Sequence, residues 1–242
     1  KSLVQTARTL FAYFAWEPGF LPLFPVRMNR NPAILRLLCS VGCGAVCQTA
    51  EELRLAAVCG FSGSRLRYLP ALPDAEAEQL AHTLSAVFVL DDIHVLPERP
   101  PERAVLLLRP DGPLRYDGRA VTGLPELISG MDRPSLIRTA RRLHTYGTKV
   151  LGLGMQTGDL CMDARLYPAI AQTLASCAAE LLQKTGIAAA AIDLGGGFGV
   201  SYRPGYPAPS MEACAQALHS IWDALPTPLR GMQLRMSPGR YL

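Results

Sequence analysis

The stretch Ala190-Ala191-Ile192-Asp193-Leu194-Gly195-Gly196-Gly197-Phe198-Gly199 decides how this chain reads. Its first half is a short apolar run, the mark of a strand buried on both faces. Its second half is a glycine run, whose backbone amides can approach an anion in space that side chains would otherwise fill. Alone, such a run can equally be a tight strand-to-helix turn. A second motif, Ser237-Pro238-Gly239-Arg240-Tyr241, closes the next apolar run at 232–236. An arginine there can pair with the same anion.

Outward from these two motifs, helical and strand periodicities alternate along the whole chain, the pattern of a parallel sheet with crossover helices. Strands are expected at 20–26, 43–48, 66–69, 86–90, 104–109, 150–155, 190–194 and 232–236. Helices are expected at 2–16, from Asn31 onward, and at 49–59, 74–85, 133–146, 167–185 and 211–225. Asn31-Pro32 is a helix start, since asparagine caps orphan amides and proline suits the first helical position. Thr49-Ala50-Glu51-Glu52 has the form of a capping box. Eight strands in 242 residues point to one closed α/β domain, a (β/α)8 TIM barrel, a fold of about 250 residues. Two connections depart from the repeat. Residues 91–102 hold Pro97, Pro100 and Pro101, so a crossover helix there is one turn or absent. Residues 110–133 form a long loop with four glycines, the kind of segment that borders barrel active sites.

Composition bounds the function. Hydrophobic residues make up 49% of the chain and charged ones 18%, which argues for a buried globular core and against disorder. The net charge of +4 comes from arginines interspersed with acids, not from a basic run with aromatics, so no nucleic-acid face is expected. The cysteines of Cys39-x3-Cys43-x3-Cys47 lack the second Cys/His half of a zinc site and read as buried free thiols, with no metal expected. Free thiols suit a reducing compartment, and the sequence as given opens at Lys1 with neither a leader pattern nor a membrane-length apolar run, so a cytoplasmic protein is expected. His82, His94, His144 and His219 are scattered without triad or metal spacing and read as surface or helix-end residues. Asp91-Asp92 reads as a solvated loop or a cap.

Several segments in register carry a family resemblance. Val26-Arg27-Met28-Asn29, followed by Asn31-Pro32-Ala33-Ile34-Leu35-Arg36, is similar to the lysine-bearing segment of diaminopimelate decarboxylases. Gly42-Cys43-Gly44-Ala45-Val46-Cys47, with Glu52-Leu53 after it, resembles the family's next segment, and the two glycine motifs follow in the expected order. The resemblance runs across nearly the whole chain to the group of pyridoxal-phosphate (PLP) decarboxylases acting on ornithine, diaminopimelate or arginine. It implies a PLP barrel of the alanine-racemase type spanning residues 1–242. It also implies a C-terminal β domain that lies outside this sequence, homodimers where that domain is present, and a family reaction that converts meso-2,6-diaminopimelate to L-lysine and CO2.

The same resemblance marks departures. Arg27 stands where the family has its Schiff-base lysine, and the only lysines are Lys1, Lys149 and Lys184. A guanidinium stays protonated and forms no imine. Val46 replaces an aspartate near that lysine, Gln156 a histidine that stacks on the cofactor, Asp159 a serine near the phosphate, and Ser237 the glutamate on the ring nitrogen. Retained are Gly195, Gly196, Gly197, Gly239 and Arg240 as a phosphate site, with Arg109 and Arg27 as anion or substrate contacts. The expectation is therefore a decarboxylase-like barrel of impaired chemistry, binding an amino-acid or phosphate ligand, with PLP held non-covalently at most. The alternatives are a non-catalytic pseudoenzyme that regulates an active paralogue, and an enzyme of other chemistry in which Arg27 holds an anionic substrate.

Overall fold

A computed structural model describes residues 3–92, 96–121, 129–156, 158, 160–203 and 205–242. The chain opens with α1 (Leu3–Tyr13) and continues through β1 (Leu21–Pro25), α2 (Pro32–Ser40), β2 (Gly44–Cys47), α3 (Ala50–Val58), β3 (Leu66–Tyr68), α4 (Ala75–Thr83) and β4 (Val87–Leu90). It then runs through β5 (Arg103–Leu107), a two-stranded hairpin of β6 (Arg115–Tyr116) and β7 (Arg119–Ala120), α5 (Arg133–Thr145) and β8 (Lys149–Gly154). The last elements are α6 (Leu166–Thr185), β9 (Ala191–Asp193), α7 (Met211–Asp223) and β10 (Gln233–Met236).

Eight of these strands close a parallel barrel in the order β1-β10-β9-β8-β5-β4-β3-β2. Closure is made by β1, which pairs with β10 through Leu21 and Arg235 and with β2 through Leu23 and Gly44. All eight expected strands are present, as are the expected helices, with ends moved by a few residues. Among the described residues of the 91–102 connection there is no helix, as its prolines imply.

Local chemistry sets the helix starts. Asn31 Oδ1 accepts from Ala33 N at 2.9 Å with Pro32 in the first turn. Thr49 Oγ1 accepts from Glu52 N at 3.3 Å. The capping box is not closed in the usual way, because the Glu52 carboxylate accepts from Gln48 N at 2.8 Å. Its other oxygen accepts from Arg30 Nη2, also at 2.8 Å. The pairing lets Glu52 be buried, since a buried carboxylate needs a cation and hydrogen bonds.

The strands alternate between two apolar environments. Phe24, Ala45, Leu66, Tyr68, Phe88 and Ile192 face the helices in one large cluster. Val87, Val89, Val105 and Leu107 face inward, as do Leu21, Leu23 and Val46, with Leu69 touching both groups. Cys43, Cys47, Cys59, Cys161, Cys177 and Cys214 are buried free thiols and Cys39 is half-buried. Burial pushes Cys43 up to about 12, and Cys214 likewise, so these thiols pack as apolar groups.

The hairpin in the long loop was not expected from periodicity. Its signal is Asp117-Gly118, both at positive φ, 51° and 72°, the pair a tight two-residue hairpin requires.

Candidate active site

A cavity of about 100 Å3, open to solvent, lies at the carboxyl ends of the barrel strands, the end at which barrel enzymes do their chemistry. The turn after β9 forms one wall. Gly195 and Gly197 hold positive φ of 71° and 77°, a conformation that L side chains rarely adopt. A Cβ on Gly196 would stand 2.9 Å from the Ser237 carbonyl oxygen, so the β9 and β10 turns touch backbone to backbone. Tyr167 on α6 donates to Gly196 O at 2.8 Å and braces the turn from behind. Asp193 Oδ1 accepts from Gly195 N at 3.0 Å. α7 begins only at Met211, so the glycine run is not a direct strand-to-helix turn.

The sequence-predicted residues converge here with one exception. Arg27, on a single turn of 3-10 helix directly after β1, lines the cavity together with Val46, Gln156, Gly195, Gly196, Gly197, Ser237, Gly239 and Arg240. Arg109 does not. It lies beyond the end of β5 at the same rim, with an exposed side chain, while Leu107 occupies the inward position of that strand. Two steps of alternation past Leu107 carry Arg109 above the barrel mouth. Asp159 and His94 lie outside the described residues. His82 is half-buried at the end of α4, its pKa lowered by burial and by Arg99. His144 ends α5, and His219 stacks on Trp16 at 4.7 Å. None of these three lines the cavity.

The lysines are elsewhere. Lys149 opens β8 at the opposite rim, and Lys184 pairs with Glu180 at 2.7 Å at the end of α6. Lys1 lies outside the described residues. Among the described residues no group of three His, Cys, Asp or Glu side chains is placed to hold a metal ion. Likewise, no helix among them is long and apolar enough to cross a membrane.

Arg67 carried no signal in the sequence. It sits at the centre of β3, between Leu66 and Tyr68, which face the helices, and points into the barrel. It is 2% exposed, and its Nε and Nη1 have no hydrogen-bond partner. Asp193 acts on it electrostatically from across the barrel, while desolvation pulls its pKa down. A leucine at such a position contributes about 2 kcal/mol by burial. A buried charge that lacks hydrogen bonds costs several kcal/mol, so Arg67 is a local cost to stability.

The arrangement divides a PLP-type cofactor into two halves. Glycines that a Cβ would obstruct, beside Arg240, fit a phosphate. For the aldehyde the cavity offers no amine from any described residue, and Ser237 brings a hydroxyl, not a carboxylate, to its wall.

A closed parallel barrel with a glycine turn lining a cavity at its carboxyl rim defines the class of (β/α)8 barrel domains. The chain belongs, more narrowly, to the family described as pyridoxal-dependent decarboxylase, pyridoxal binding domain, whose model matches residues 4–242. Pyridoxal phosphate is the cofactor of that domain. The chain is 26% identical over 249 residues to Protein TabA of Pseudomonas amygdali pv. tabaci, covering 100% of this chain and 57% of that protein. It is 26% identical over 245 residues to diaminopimelate decarboxylase of Aquifex aeolicus, covering 96% and 56%. The crystal structure of diaminopimelate decarboxylase from M. jannaschii superposes with a TM-score of 0.84 at 18% identity, covering 99% of this chain and 59% of that one. The chain thus spans little more than half the length of these relatives.

Proposed function

We propose that this is a diaminopimelate-decarboxylase-like barrel domain that retains phosphate binding and has lost the decarboxylation of meso-2,6-diaminopimelate. The observation that carries the reading is Arg27 in the cavity at the family's lysine position, with no lysine among the described residues lining it. PLP, when bound, supplies an electrophilic aldehyde and a ring that accepts electron density. The backbone of Gly195 to Gly197 and the Arg240 guanidinium hold the phosphate by charge-assisted hydrogen bonds. A guanidinium forms no imine with an aldehyde, so Arg27 binds anions and attaches nothing covalently. The Ser237 hydroxyl brings no negative charge to the ring nitrogen. Without that charge the electron sink on which loss of CO2 depends is weakened.

The test combines borohydride trapping with product analysis. After incubation with PLP and reduction, mass spectrometry of the digested chain is expected to find no pyridoxyl group on any lysine. meso-Diaminopimelate is expected to yield no lysine above the no-protein control. A pyridoxyl group fixed on Lys149 or Lys184, or measurable lysine production, would overturn the proposal.

A further inference from the structure

We infer that Arg67 makes the floor of the cavity a second anion subsite, so that the ligand of this domain is a small organic phosphate that also carries a carboxylate. The inference rests on the phosphate reading above and adds the group at the ligand's other end. In the closed strand order β3 lies four positions from β9, so Arg67 enters the cavity from the side opposite the glycine cradle. Its neighbours in the lining, Val46, Leu69 and Val89, are apolar and offer its donors nothing.

The charged groups nearest to it are already engaged. The Asp193 carboxylate accepts from Gly195 N. Arg235, also inward, donates to the Gly19 carbonyl and to Gln233 Oε1 at the amino end of the barrel. Among the described residues the lining holds Arg27, Arg67 and Arg240 and one carboxylate, that of Asp193. A guanidinium cannot shed its proton to escape burial, and the one carboxylate that acts on Arg67 through space, Asp193, also serves the inward Arg235, so the cavity is the direction from which a further acceptor can come. A carboxylate suits it best, being planar, small enough for an apolar floor, and able to accept two parallel hydrogen bonds.

Calorimetric titration of the 242-residue chain with paired probes tests this. One series is alkylphosphonates, the other ω-phosphonocarboxylates of matching chain lengths. The best phosphonocarboxylate is expected to bind roughly tenfold to a hundredfold more tightly than its alkyl counterpart. Arg67→Met is expected to erase that difference. Equal affinity of the two series for the native chain overturns the subsite without recourse to any variant, as does a difference that survives Arg67→Met. If alkylphosphonates fail to bind, the phosphate reading falls. An Arg67-dependent gain from the carboxylate would even then uphold the subsite, and its absence would sink both.

Discussion

Arg67 and Gly196 occupy the same cavity and set opposite demands on it. The guanidinium of Arg67 is buried without hydrogen bonds at Nε and Nη1. Replacing it by an apolar group of similar volume removes a buried charge that Asp193 offsets only through space, so Arg67→Met is expected to raise the unfolding free energy by about 1–3 kcal/mol. Urea denaturation measures this, and a less stable variant would mean that the charge is satisfied in the folded state. Gly196→Ala places a Cβ against the Ser237 carbonyl, forcing apart the two turns that form the phosphate wall. The expected outcome is a folded protein with at least tenfold weaker affinity for inorganic phosphate, about 1.4 kcal/mol, checked by titration beside a circular dichroism spectrum. The glycines of this wall were legible in the sequence because positive φ at Gly195 and Gly197 and the close backbone approach at Gly196 both favour glycine. Arg67 was not, because β3 has only three residues. In so short a strand with apolar surroundings on both sides, composition does not reveal which residue turns inward. Arg109 stands at the expected rim but outside the lining, because a strand's last inward position depends on where pairing stops.

Caps and turns decide where the helices and hairpin lie. Asp132 Oδ1 accepts from Ser135 N at 2.7 Å at the start of α5. Hydrogen bonds from the Ser135 side chain and backbone hold the carboxyl of Asp132 below the usual carboxylate range. A group whose folded pKa is depressed stabilises the fold above its unfolded value, about 3.9, and that contribution is lost as pH falls through the lower folded value. Asp132→Ala is therefore expected to cost about 1 kcal/mol at neutral pH. Its stability should converge with the native chain's in strongly acidic buffer, and thermal melts at both extremes check this. The caps at Asn31 and Thr49 were legible because capping is local chemistry written within four residues. Two things were not: the closing partner of Glu52, which is the distant Arg30, and the β6–β7 hairpin, whose two-residue strands are too short for any periodicity to register.

At the scale of the whole molecule the barrel was legible from the alternation of eight strands, and the cavity from motifs that each fall at a strand's carboxyl end. The departures at Arg27, Gln156 and Ser237 lie after β1, β8 and β10 respectively and converge on one cavity. Groups that act as a unit contribute non-additively. Arg27→Lys alone is accordingly expected to allow reductive trapping of PLP on residue 27 while lysine formation from meso-diaminopimelate stays at background. Turnover is expected only after Ser237→Glu and Gln156→His are added and a family second domain is supplied. Appreciable turnover by the single variant, followed by product chromatography, would show that the lost partners matter less than this. The pairing of β1 with β10 has a further consequence, in the order of events during synthesis. Strands at the two ends of the barrel sequence must meet before the ring closes, so a ribosome-bound chain that has made β1 through β9 carries two open edges and no cavity. The glycine turn then waits for its Ser237 backstop, and until β10 emerges a ligand of the finished cavity cannot assist folding.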